Sequence, residues 1–254
     1  MRRLAFAVLV ALASTVTLAQ STSTYEPQVG QEGKDVVWVP TPQTLVNKML
    51  DMAKLTPKDF HMDLGSGDGR TVITAAKRGA RSMGIEYNPD MVELAKRNAE
   101  KEGVTARATF VKADLFETDF SKATVITLFL LPDINLRLRP KILDMKPGTR
   151  IVSNTFTMGD WKADETANAD NGCESSWCTA LLWIVPAKVA GSYKTPQGYV
   201  TLKQEFQMLS GTLRADGKTF ALEGRVNGEA IRFSAGGKNY QGKLNGKQLE
   251  IRTP

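Results

Sequence analysis

The sequence predicts a two-part chain: an open, mostly parallel α/β sheet followed by an antiparallel β-meander. Three observations lead there. Between about residues 38 and 189, short apolar runs alternate with stretches of helical periodicity, the pattern of a parallel sheet covered by helices. Within that region ATVITLFLL, at 123–131, is nearly all apolar or β-branched, as a central strand buried on both faces should be. From Gly191 onward helix signals stop, and short alternating runs are separated by Asp216-Gly217, Asn227-Gly228, Gly236-Gly237 and Asn245-Gly246, dipeptides suited to tight hairpins.

The elements follow in order. MRRLAFAVLVALASTVTLA, residues 1–19, has two arginines, an apolar run and a small-x-small end, and reads as a cleaved export signal; the run is short for a membrane span, so no stable span is expected after cleavage. Residues 20–37 are polar, with Gly and Pro, and read as a flexible lead-in. Thr41-Pro42 begins a helix in which Leu45, Val46, Met49, Leu50 and Met52 recur at helical spacing, closed by Thr56-Pro57. A strand at 60–64 runs into a glycine-rich turn, then a helix at 71–78. A second strand, 82–86, leads to Asn88-Pro89-Asp90 and a helix ended by Gly103. A third strand spans 108–112. After the apolar strand, 132–145 is helical in pattern, Lys146-Pro147-Gly148 turns, and 149–154 is a strand. TALLWIVPAK, at 179–188, is expected to pair with 149–156, connected through the cysteine segment. The meander, 190–254, is expected to hold five or six strands; GRVNGEAIRF at 224 and GKLNGKQLEI at 242 form a weak internal repeat.

Composition excludes less than it permits. The formal net charge is +6, Arg2 and Arg3 contribute two of those charges, and there is no dense Lys/Arg block of the kind that tracks a nucleic-acid backbone. No nucleic-acid partner is expected, and oligomeric state is not specified. In an exported chain the two cysteines, Cys173 and Cys178, most simply form a disulfide, with free thiols as the alternative. A metal site would need more ligands than these, and none is expected; the single histidine, His61, lies inside an apolar strand and is expected to be packed.

The chemistry concentrates in HMDLGSGDGR, 61–70. Gly65 and Gly67 permit positive φ and close approach of bare backbone to a ligand, while Gly69 suits close packing of the next helix. A dinucleotide turn is G-x-G-x-x-G and opens onto a pyrophosphate. Here Asp63 and Asp68 would repel a pyrophosphate, and the acid-rich turn they make around Gly65-Ser66-Gly67 suits a cationic ligand with an amino-acid tail. Glu86 ends the second strand, placed to accept from ribose hydroxyls. Asp114 follows the third, where it and the Leu115 backbone can meet an adenine amino group. Acceptors at three successive strand ends describe S-adenosyl-L-methionine.

These residues resemble the class I S-adenosylmethionine-dependent methyltransferases. DLGSGDG, with Glu86 in GIEYNPD, matches their acid-x-G-x-G-x-G turn and following acid over about residues 36–160. WVPTP at 38–42, KADLFETD, FLLP at 129–132 and VSNTF at 152–156 further resemble the small lysine methyltransferases of the ATP synthase c-ring and adenine nucleotide translocase type. The resemblance implies a Rossmann-like methyltransferase sheet, mostly parallel with an antiparallel edge strand, and methyl transfer to a lysine amine of a protein. The export signal and the added β-domain depart from that family. In place of the polar-Pro-Pro-aromatic motif of amide and adenine methyltransferases stands Leu130-Leu131-Pro132-Asp133. Leu131 and Pro132 are therefore candidates for an apolar acceptor wall, and Asp133 or Asn135 for orienting the amine; no general base is identified. Trp38 is a candidate to close over the cofactor. Two other functions stay open: an exported methyltransferase acting on a small molecule or envelope component, and a methyltransferase fold kept as a non-catalytic binding module.

Overall fold

The computed structural model describes residues 25–169 and 172–253; the export signal read at 1–19 lies outside the described residues. The first half consists of α1 (Gln43–Met52), β1 (Phe60–Leu64), α2 (Arg70–Lys77), β2 (Arg81–Glu86), α3 (Pro89–Lys101), β3 (Ala108–Lys112), β4 (Val125–Leu128), α4 (Pro132–Leu143), β5 (Arg150–Asn154), β6 (Glu165–Asn168) and β7 (Thr179–Ile184). These strands form one sheet of order β3-β2-β1-β4-β5-β7-β6. β1 to β5 are parallel, and β7 runs antiparallel to β5, pairing Arg150 with Ile184 and Asn154 with Ala180.

Both faces of the central strands are buried, which explains their continuous apolar sequence. Val125 and Val152 pack with Leu45 and Met49 of α1 on one face. Ile126, Leu128 and Ile151 pack with Ile134, Leu138 and Ile142 of α4 on the other. Chain order reverses at β1 and β4, the switch point beyond which ligands bind in open sheets.

Three details differ from the sequence reading. The strand expected over 123–131 stops at Leu128, because β1, its partner, ends at Leu64 where the glycine turn begins. Phe129, Leu130 and Leu131 lie beyond the end of the strand. The connection from β5 to β7 holds an additional short strand, β6, which pairs with β7 and forms the sheet's outer edge, so the cysteine segment joins β6 to β7. ETAN, at 165–168, has no apolar alternation and gives no strand signal.

The second half holds β8 (Gly191–Thr195), β9 (Gly198–Glu205), β10 (Met208–Ala215), β11 (Lys218–Asn227), β12 (Ala230–Ala235), β13 (Lys238–Asn245) and β14 (Gln248–Arg252), seven strands where five or six were expected. They form an antiparallel meander in sequence order, and β14 lies against β8, so the sheet is nearly closed into a barrel. The missed hairpins turn at Pro196-Gln197 and Phe206-Gln207, without a glycine. Asp216-Gly217 and Gly236-Gly237 both hold positive φ at their two central positions. At the two repeat hairpins the asparagine is the last strand residue, and Gly228 and Gly246 take the first central position with φ of 57° and 59°. Val200, Leu202, Leu213, Leu222, Ile231, Phe233 and Leu249 fill the interior.

The halves are docked. Phe206, in the β9–β10 hairpin, stacks on Trp161 at 6.1 Å, and Gln207 donates to the Lys162 carbonyl at 2.8 Å. Arg225 pairs with Asp164, whose side chain is buried.

Candidate functional site

A cavity of about 550 Å³ opens beyond the carboxyl ends of β1, β2, β3 and β4. It is the size of an ordinary small-molecule site. Asp63, Gly65, Ser66, Gly67, Asp68, Glu86, Asp114 and Leu115 all line it.

The turn after β1 is stitched to β2: Gly65 and Ser66 N–H both donate to the Ile85 carbonyl, at 2.9 and 3.0 Å. Gly65, Gly67 and Gly69 hold φ of 79°, 52° and 84°, in the left-handed region that glycine occupies at little cost. A Cβ on Gly67 would lie 2.6 Å from Trp38 Nε1, and one on Gly69 would lie 2.7 Å from Phe110. Gly67 thus lets Trp38 close over the turn, while Gly69 permits close packing against β3 and α3. The cleft that bare backbone leaves here fits a nucleoside with an amino-acid tail, and Ser66 Oγ is buried without a hydrogen-bond partner.

Glu86 does more than its position announced. One carboxylate oxygen accepts from Gly67 N–H at 2.9 Å; the other accepts from Tyr87 and Asn88 N–H, both at 2.9 Å. It braces the glycine turn while facing the cavity, and of about four acceptor positions on a carboxylate one remains for a further donor.

Asp63 is buried, and burial pushes its carboxyl up to about 7. The Thr127 hydroxyl, its register partner on β4, donates to it at 2.6 Å and opposes that rise; Glu86 and Asp68 add like charge. Because Thr127 donates to Asp63, it accepts from His61 Nε2 at 2.8 Å, which leaves Nδ1 to accept from Ser82 at 2.6 Å. His61 is packed within the sheet, and burial lowers its pKa to about 3. Thr127 could have been suspected from sequence: it is a hydroxyl in the middle of an apolar strand.

Asp114 faces the cavity, and its carboxylate is engaged by Lys34 of the segment read as lead-in, with Phe116 N–H donating to it at 2.9 Å. Those hydrogen bonds hold Asp114 below the usual carboxylate range. Residues 31–37 line the cavity, held there by paired backbone bonds between Gly30 and Trp38 and between Trp38 and Gln31. Asp68 pairs with Arg70 at 2.6 Å.

The acceptor-side candidates separate. Leu131 lines the cavity, and Leu130 and Ile134, which the sequence did not single out, join it. Pro132 is the first residue of α4 and Asp133 lies in its exposed first turn; neither lines the cavity. Asn135 is fully buried and donates to the Phe156 and Thr157 carbonyls at 3.3 and 3.2 Å, so it ties α4 to the chain after β5 instead of orienting an amine. Phe129, Phe156 and Trp177 form the far wall, the last carried by a loop closed by the Cys173–Cys178 disulfide.

A parallel sheet with this strand order and a nucleoside cleft ringed by carboxylates at its switch point belongs to the class I S-adenosylmethionine-dependent methyltransferases. The family model described as the ANTKMT methyltransferase domain matches residues 63–165. A protein-lysine N-methyltransferase of Saccharolobus islandicus is 45% identical over 140 residues, covering 54% of this chain and 87% of that one. The chain belongs to this family of small lysine methyltransferases, and its cofactor is S-adenosyl-L-methionine. The adenine nucleotide translocase lysine N-methyltransferase of Mus musculus is 33% identical over 46% of this chain, which spans about half (51%) of that relative's length. Among solved structures, one described as an RNA methyltransferase from Salinibacter ruber in complex with S-adenosyl-L-homocysteine is 44% identical with a TM-score of 0.55, covering 59% of this chain and 96% of that one.

Proposed function

We propose that this protein transfers a methyl group from S-adenosyl-L-methionine to a lysine side chain of a protein in an exported compartment. The carrying observation is one cavity with two unlike linings. Asp63, Glu86 and Asp114, proposed to meet the amino-acid tail, the ribose and the adenine, line it from the ends of β1, β2 and β3; Leu130, Leu131 and Ile134, which follow β4, line it with apolar surface. When bound, the cofactor supplies an electrophilic methyl group on a sulfonium. The chain's residues do the rest. Glu86 orients the nucleoside, and its brace to Gly67 keeps the turn in register. The aliphatic side chains of Leu130, Leu131 and Ile134 desolvate the amine where it meets the methyl group, so it gives its proton to solvent and attacks in the neutral form. Fixed positions for both reactants make the encounter effectively intramolecular. The lysine relatives support this acceptor.

The Salinibacter relative, described as an RNA methyltransferase at similar identity, motivates a second reading. Labelled donor incubated with the mature protein, an envelope extract and total RNA separates them. Label is expected in protease-sensitive material that hydrolyses to methyl-lysine. Label lost to ribonuclease, or found only in solvent-soluble material, overturns the lysine assignment; donor binding without any transfer leaves the non-catalytic module. N-terminal sequencing tests export: a mature end near residue 20 is expected, and Met1 recovered from a cytoplasmic fraction overturns it.

A further inference from the structure

Three rings from three separate segments meet in the cavity wall. Phe129 follows β4, Phe156 follows β5, and Trp177 sits between β6 and β7. Phe129 and Phe156 are 5.9 Å apart and near parallel, at 21°. Trp177 lies 5.9 and 5.3 Å from them, tilted by 58° and 43°. All three are half-buried and line the cavity. Trp177 is held by its loop: the Cys173–Cys178 disulfide closes it, Trp177 N–H donates to Ser175 Oγ at 3.1 Å, and Ala169 N–H donates to the Cys178 carbonyl at 2.7 Å.

We propose that Phe129, Phe156 and Trp177 form the seat for the acceptor's alkylammonium head, and that the disulfide loop is the element that brings Trp177 to it. Ring faces attract cations, most strongly a tryptophan face, and they suit the bulk of an alkylated ammonium. Contributed from three elements, the three rings give the cavity an aromatic lining for a cation to meet. A nucleobase would want a flat platform and nearby phosphate contacts. Here the third ring crosses the other two to make a corner, and the cations lining the cavity, Lys34 and Arg70, are paired with Asp114 and Asp68. The inference rests on an amine acceptor, but its test needs no turnover.

The full mature chain, loaded with S-adenosylhomocysteine and labelled at its tryptophan indoles, is titrated with Nε-trimethyllysine amide, with the neutral isostere carrying carbon in place of the nitrogen, and with adenosine monophosphate. The Trp177 indole resonance is expected to move with the cation and not with the isostere. Trp177→Ala should weaken binding of the cation about tenfold, Trp177→Phe should restore most of it, and both should keep the wild-type affinity for S-adenosylhomocysteine. Replacing both Cys173 and Cys178 by serine should weaken the cation several-fold with cofactor affinity intact. An equal response to the isostere, a preference for the nucleotide, or loss of cofactor affinity in Trp177→Phe would overturn the seat. Undiminished cation binding in the double-serine variant would overturn the loop's part. Cation binding without methyl transfer to any lysine would sink the proposed reaction and leave the seat standing.

Discussion

Asp63 and His61, two positions apart on β1, titrate in opposite directions. Burial raises Asp63 from 3.8 to about 7, so the folded chain keeps a proton that the unfolded chain has released, and stability falls as pH rises between about 4 and 7. Burial lowers His61 from 6.5 to about 3, so the folded chain refuses a proton that the unfolded chain binds, and stability rises with pH up to 6.5. Each slope is about 1.4 kcal/mol per pH unit, so over about 4 to 6.5 they cancel. His61→Gln keeps a donor and an acceptor for Thr127 and Ser82 but removes one titration. Its stability relative to wild type should fall by roughly 2–3 kcal/mol between pH 4.5 and 6.5 in urea unfolding; parallel curves would show that the two groups do not titrate as described. The same carboxyl is proposed to meet the cofactor's ammonium, and on that assignment it sets the pH dependence of binding. Asp63 attracts the cofactor's ammonium only when charged, so affinity for S-adenosylhomocysteine should rise with pH up to about 7, by up to tenfold per unit, and level off above. Flat calorimetric affinity from pH 5.5 to 8 would remove Asp63 from the binding set. The neighbouring glycines divide along the same line between ligand and fold. Gly69→Ala drives a methyl into Phe110 and Ala95 and should cost stability, by about 1–3 kcal/mol. Gly67→Ala displaces Trp38 and should cost cofactor affinity at smaller expense in stability.

At the scale of elements, legibility followed partnership. The strands with continuous apolar sequence and the helices with clear caps were readable because local pattern and tertiary burial agree there. Asn88 is an example: it begins α3 by accepting from Asp90 N–H, as Asn88-Pro89-Asp90 announces. The apolar pattern of β4 runs on to Leu131 because it carries no mark of where β1 stops. Phe129 to Leu131 satisfy the cavity, not a ladder, and their apolar character is the same for either purpose. The segment before α1 reads as a lead-in because its composition is polar. Its place over the cavity depends on Lys34 meeting Asp114 and Trp38 meeting Gly67, contacts 80 and 29 positions apart that no local pattern encodes. Lys34 occupies a carboxylate that the adenine amino group is proposed to use. Lys34→Ala should therefore raise cofactor affinity a few-fold, whereas Trp38→Ala should lower it by uncovering the turn. A drop in both variants would mean that Lys34 closes over the ligand and does not compete with it.

At the scale of the molecule, the sequence separated the two halves but was silent on how they meet. The hairpin dipeptides announced the meander, yet the joint is made by Phe206-Gln207, a turn without a turn signature, and by Trp161, which reads as any buried tryptophan. That joint should couple the halves thermodynamically. Trp161 is fully buried and stacked on Phe206; Asp164, buried, is met by Arg225 and by Ile184 N–H at 2.7 Å; Gln207 fills its amide on the Lys162 carbonyl. Separating the halves would expose the Trp161–Phe206 aromatic pair and break the Asp164–Arg225 ion pair and the Gln207 hydrogen bond. Heating should therefore give one cooperative transition in calorimetry. S-adenosylhomocysteine at about 100 times its Kd should stabilise that whole transition by about 2.7 kcal/mol, barrel included, although no barrel residue lines the cavity. Phe206→Ala combined with Arg225→Ala should split the transition in two, with the ligand moving only the methyltransferase part. A wild-type protein that already melts in two steps, or a barrel transition that still follows the ligand in the double variant, would show that the coupling does not run through this joint.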